Sequence, residues 1–206
     1  MFSANEIVVA TGNKGKLKEI GELLLPLGIQ VHGQHEFSVP EIEETGLTFV
    51  ENAILKARNT CMHTGKPALA DDSGIEVDAL NGAPGIYSAR YAAMDVGANA
   101  SDAANVEKLL NALYGMPETE RTARFQCVMV YLRHAEDPTP LICQGTWEGR
   151  IAARPQGDNG FGYDPVFWVP QHNCTAAQLS ADVKNSLSHR GQALQKLLIA
   201  LQGRHG

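Results

Sequence analysis

Residues 11–16 read Thr11-Gly12-Asn13-Lys14-Gly15-Lys16, a set able to bind an anion. They follow an apolar run and open an amphipathic one, so backbone N–H groups, a helix dipole and two ammonium groups would converge on one point. A P-loop is disfavoured, since its glycines stand further apart and Leu17 fills the place of its metal-binding hydroxyl. The same residues also fit a plain glycine turn with solvated lysines. Asp71-Asp72-Ser73-Gly74 sets adjacent carboxylates after the apolar residues 67–70, with Glu43 and Glu44 available from an acidic stretch over residues 40–46. Oxygen ligands suit magnesium, which takes one or two carboxylates and completes its shell with water and phosphate oxygens. The alternative is an Asx turn that uses one aspartate.

Gly160-Phe161-Gly162-Tyr163-Asp164-Pro165 joins glycines, two aromatics and a carboxylate. A ring face stacks on a nucleobase and a carboxylate reads its polar edge, unless both rings turn into the core. Ser188-His189-Arg190-Gly191 lies at an expected helix start, where arginine can donate to phosphate or to a purine carbonyl, or where Ser188 simply caps. Lys56 and Lys184 are either cations reaching a ligand or solvated side chains.

The elements that must carry these residues alternate between strand and helix. Residues 6–11 read as a buried strand, a helix with Leu17, Ile20, Leu23, Leu24 and Leu27 follows, and residues 29–32 form a second strand. Thr48 and Glu51 make a capping box for a helix ending near Gly65. Residues 67–70 predict a brief strand that ends at the aspartates, and residues 75–80 a separate one before an Asn81-Gly82 turn. Ser101 caps a helix through Leu113, residues 124–133 form a central strand, and residues 141–153 form one or two more. After the glycine-rich residues 157–164 come an aromatic strand over 165–169, a weaker helix over 178–187 and a final amphipathic helix after Ser188. This order predicts an α/β fold with a long, curved mixed sheet and ligands at strand ends.

With 206 residues, 44% hydrophobic and 19% charged, the chain suits one globular domain. A net charge of −6 argues against a nucleic acid polymer as partner, because no broad basic face releases counterions. No apolar run reaches membrane-spanning length, and residues 7–10 are too short for a signal-peptide core. Four cysteines without a C-x-x-C pair read as free thiols in a reducing cytoplasm, and seven histidines without H-E-x-x-H spacing argue against zinc.

In chain order, T-G-N-K-G-K (11–16), E-E-T-G-L-T-F (43–49), E-N-A-I-L-K-A (51–57), A-D-D-S-G (70–74), G-A-P-G-I-Y-S-A-R (82–90), F-G-Y-D-P (161–165) and S-H-R-G-Q-A-L (188–194) resemble the inosine triphosphate pyrophosphatase family. The resemblance spans nearly the whole chain. It implies a two-lobed α/β fold over residues 1–206 with a central cleft, a homodimer, and magnesium-dependent hydrolysis of ITP, dITP and XTP to the monophosphate and pyrophosphate. By matching position, Asp72 would accept the proton of the attacking water and, with Glu43, hold the metal, with Glu44 and Asp71 as neighbouring candidate ligands. Thr11, Gly12, Asn13, Lys14, Gly15, Lys16, Lys56 and Ser73 would bind the triphosphate and ribose. Phe161, Gly162, Tyr163, Asp164, Lys184, His189 and Arg190 would surround the base and adjoining phosphates. Where family members carry paired glycines before Phe161, this chain has Asp158-Asn159-Gly160, and asparagine's tolerance of a left-handed backbone would let the loop form. Two rivals are a pyrophosphatase for other modified triphosphates and a nucleotide-binding sensor without turnover; the intact acid and lysine set disfavours the sensor.

Overall fold

The computed structural model describes residues 6–12, 14–96 and 100–205. In chain order its main elements are β1 (Glu6–Val9), α1 (Lys14–Leu24), β2 (Gln30–Gly33), α2 (Phe49–Thr64), β3 (Ala68–Val77), α3 (Asp102–Ala112), β4 (Thr122–Leu132), β5 (Leu141–Ile151), β6 (Phe167–Val169), β7 (Cys174–Thr175), α4 (Ala181–Leu187) and α5 (His189–His205). The strands form one sheet in the order β2-β1-β3-β4-β5-β6-β7. β1 runs parallel to β2 and β3, while β6 runs antiparallel to β5 and β7. The sheet is mixed and the fold is α/β, as the alternation of periods predicts.

Contacts divide the chain into two compact units, Met1–Asp72 with Cys127–Gln144 and Gln192–Gly206, and Ser73–Gln126 with Gly145–Gly191. In the first, β4 shows strict strand alternation. Cys127, Met129 and Tyr131 pack with Ile7, Val9, Leu69 and the apolar faces of α1 and α5, whereas Val128, Val130 and Leu132 pack with Ala53, Ala57 and Cys61 of α2. Both faces of the sheet are buried here, so the strands read as continuous apolar runs. In the second unit, Val106, Leu109 and Leu113 of α3 meet Phe125, Trp147, Phe167 and Val169. Phe125 and Phe167 lie 4.5 Å apart, ring centre to ring centre.

Helix starts follow the local signals. Thr48 Oγ1 accepts the Glu51 N–H and donates to the Glu51 carboxylate, and Gly65 closes α2 in the left-handed conformation. Ser101 caps α3 and Ser180 caps α4 in the same manner.

One expectation fails. Asp71-Asp72-Ser73-Gly74 does not end a strand; it lies inside the single ten-residue strand β3. Turn-forming residue types are overridden because both carboxylates find lysines when buried, and a compensated charge can stay in a sheet.

Candidate active site

Adjacent residues of a strand point to opposite faces, so the two aspartates of β3 serve different neighbours. Asp71, in phase with Leu69, meets Lys16 of α1 at 2.8 Å. Asp72, in phase with Ala68 and Ala70, meets Lys56 of α2 through Oδ1 at 3.3 Å. Lys56 also holds Glu44 at 2.8 Å, so the loop before α2 supplies a second carboxylate to the same ammonium group.

Burial disfavours the Lys56 charge, but Asp72, Asp71 and Glu44 together outweigh it and hold the pKa above the ordinary lysine value. For Asp72, burial is the larger effect and raises its pKa; Lys56 opposes this and Glu44 adds to it. A carboxylate raised in this way is a better proton acceptor than a solvated one. Its Oδ2 is buried and completes no hydrogen bond, while the side chain as a whole retains 11% exposure. The outward part of the carboxylate is therefore at Oδ1.

Glu43, the acid expected beside Asp72, is exposed and has no ion pair among the described residues, whereas its neighbour Glu44 is tied to Lys56. Thr11 is buried at the end of β1, Gly12 and Gly15 are exposed, and α1 begins at Lys14, so a helix start lies where the anion-binding motif requires one. Asn13 and the side chain of Lys14 lie outside the described residues.

The second unit gathers another set. Asp164 is buried; its Oδ2 accepts the Phe161 N–H at 2.8 Å and pairs with Lys184. Lys184 Nζ and the Arg190 guanidinium lie 5.2 and 5.7 Å from the centre of the Phe161 ring, which is 55% exposed. Arg190 also reaches Ser73 Oγ at 3.4 Å. His189 stacks on Phe125 with ring centres 4.8 Å apart. An exposed ring flanked by two cations is a platform for a flat, electron-rich, negatively charged ligand.

Tyr163 is buried, and its hydroxyl donates to the Ser88 carbonyl at 2.8 Å, so its ring anchors the loop. Gly162 is held by Asp102, whose Oδ2 accepts its N–H. The loop closes for a different reason than the one expected. Gly157, Gly160 and Gly162 take the left-handed conformation and Asn159 does not. Asn159 instead donates its N–H to the Ala177 carbonyl and its amide to that of Leu179.

Asn52 lies within E-N-A-I-L-K-A and, four residues before Lys56, shares its face of α2.

Residues 7–200 match the model of the Ham1 family. The dITP/XTP pyrophosphatase of Vibrio cholerae is 58% identical over 197 residues, 96% of either chain, and that of Thioalkalivibrio sulfidiphilus is 61% identical over 199 residues, 97% of this chain and 100% of the other. The structure of a HAM1 protein from Coxiella burnetii, 53% identical, superposes with a TM-score of 0.91 over 98% of this chain and all of that one. With a family match over nearly its whole length and relatives this similar end to end, the chain belongs to the Ham1 family.

Proposed function

We propose that this chain hydrolyses the non-standard purine nucleoside triphosphates dITP, XTP and ITP to the monophosphate and pyrophosphate, keeping these bases out of DNA and RNA. The observation that carries the reading is Asp72, a buried carboxylate raised in pKa beside Lys56, in a chain so similar to enzymes named for dITP and XTP. A water oxygen attacks the α-phosphorus and its proton passes to Asp72. The bond from the α-phosphorus to the α,β-bridging oxygen breaks, and the electron pair leaves with pyrophosphate. Lys16 and Lys56 neutralise charge on the phosphates, with Thr11, Gly12, Asn13, Lys14, Gly15 and Ser73 as further phosphate and ribose contacts. Phe161 stacks on the base, and Lys184, His189, Arg190 and the backbone of residues 161–164 surround it. A donor such as Arg190 favours a 6-oxopurine, because adenine would leave it facing another donor.

The donor set fits magnesium. Two carboxylates from different elements, Asp72 and Glu44, converge on the single cation of Lys56. Among the described residues no three acids, histidines or cysteines form a closed metal cage, in keeping with an ion that takes few protein ligands and relies on water and substrate phosphates. Asp72 and Glu43, the acid not committed to Lys56, would hold it. When bound, the ion supplies charge neutralisation to the phosphates. The working protein is a cytoplasmic homodimer; among the described residues no helix is long and apolar enough to cross a membrane.

A panel of ITP, dITP, XTP, GTP, ATP and TTP with magnesium, read for pyrophosphate and orthophosphate, tests the reading. Pyrophosphate from the first three alone is the expected result. Orthophosphate would place cleavage at another phosphorus, and no release would favour a sensor. Lys16→Ala is expected to lower kcat/KM for dITP by about 100-fold; an unchanged value would remove the α1 loop from phosphate binding.

A further inference from the structure

Asn52 is fully buried on α2, one turn before Lys56. Its Oδ1 accepts the Gly46 N–H at 2.8 Å, which orients the amide and turns Nδ2 away from that loop. The approach is close enough that a Cβ on residue 46 would lie 2.7 Å from Asn52 Oδ1 and 2.6 Å from the Glu51 Cβ. Nδ2 completes no hydrogen bond, and neither does Asp72 Oδ2, although both are buried. The Asn52 amide is near enough to the Asp72 carboxylate to favour its charged form, against the effect of burial. Two buried polar atoms, one a donor and one an acceptor, are each a cost that pairing removes. An aspartate χ2 is soft, so the carboxylate can rotate toward such a donor.

We infer that Asn52 is a positioning residue which donates Nδ2 to Asp72 Oδ2, fixing the carboxylate so that Oδ1 is the oxygen presented outward, while its Oδ1 ties the acidic loop at Gly46 to the same point. One side chain thereby sets both the base and the loop that carries Glu43 and Glu44. A hydrophobic residue of similar size would fill the space but leave Gly46 N–H and Asp72 Oδ2 stranded. The catalytic meaning rests on Asp72 being the base; the contact itself does not.

Asn52→Asp separates the two roles, because it keeps an acceptor for Gly46 and replaces the donor with an oxygen. In metal-free protein it places two carboxylates face to face, and Tm is expected to fall by about 5 °C. Adding Asp72→Asn restores a donor opposite an acceptor and should recover most of that loss. If the two changes simply add, the contact does not exist and the inference is overturned. With dITP and magnesium, Asn52→Asp is expected to lower kcat by about 100-fold with KM changed by less than about threefold. A kcat within about twofold of the parent would overturn the positioning role. Full turnover by Asp72→Asn alone would remove the base assignment yet leave the stability cycle readable.

Discussion

Asp72→Asn is expected to lower kcat for dITP by a factor of about 10³ or more while nucleotide binding persists, since general base catalysis contributes about 10²–10⁴-fold. The amide has the shape of the carboxylate but accepts no proton. Lys56 keeps Glu44 at 2.8 Å, so the variant does not strand a half-buried cation, and Tm should stay within about 4 °C of the parent. Single-turnover hydrolysis and calorimetric titration with a non-hydrolysed triphosphate analogue would separate chemistry from binding. A rate within tenfold of the parent would exclude Asp72 as the base. Loss of binding together with rate would make it a ligand-holding residue instead.

The next largest effect is expected from Gly160→Ala. A Cβ at this position would lie 2.1 Å from Asp164 Oδ2 and 2.9 Å from Lys184 Nζ, on a backbone with φ of +80°. Asp164 Oδ2 is the atom that holds both the Phe161 N–H and Lys184. The left-handed backbone alone costs an L-residue about 1–2 kcal/mol, and displacing a buried ion pair adds to it. The expected result is a Tm lower by about 5–10 °C, at roughly 2–4 °C per kcal/mol for a chain of this size, and kcat/KM lower by about 100-fold as the Phe161 platform moves. Gly162→Ala is the control. Its φ is +61°, but a Cβ there meets nothing within 4 Å, so it carries the backbone cost alone. Equal losses in the two variants would show that the crowding around Asp164 is irrelevant.

Helix starts at Thr48, Ser101 and Ser188 were readable because a cap is a contact over three residues, complete within the local sequence. β4 was identified as central from its run of Val, Tyr and Phe, and it lies fourth among seven strands. The strand through Asp71 and Asp72 reads in sequence as two because Asp-Asp-Ser-Gly has turn chemistry, and nothing nearby in sequence announces the lysines that keep it extended. Asn159, standing where the family carries paired glycines, reads as a left-handed backbone position; its side chain instead bonds the Leu179 carbonyl, a contact across twenty residues.

The sequence by itself determined the chemical inventory of this protein: its paired acids, its lysine loop, its glycine-flanked aromatic, their order along the chain, and the α/β class that period and capping impose. Tertiary structure alone decided the partners. It set Asp71 on Lys16, 55 residues away, and Asp72 on Lys56, 16 away. It also gave Lys56 to Glu44, turned Tyr163 inward and buried Asn52 with its Oδ1 on the Gly46 N–H. The division has one physical cause. Propensity, capping and periodicity are energies of neighbouring residues, legible in any window of the chain, whereas the pairing of a buried polar group is chosen among all groups the folded core brings within a few ångströms, and the strong cost of leaving it unpaired makes that choice specific.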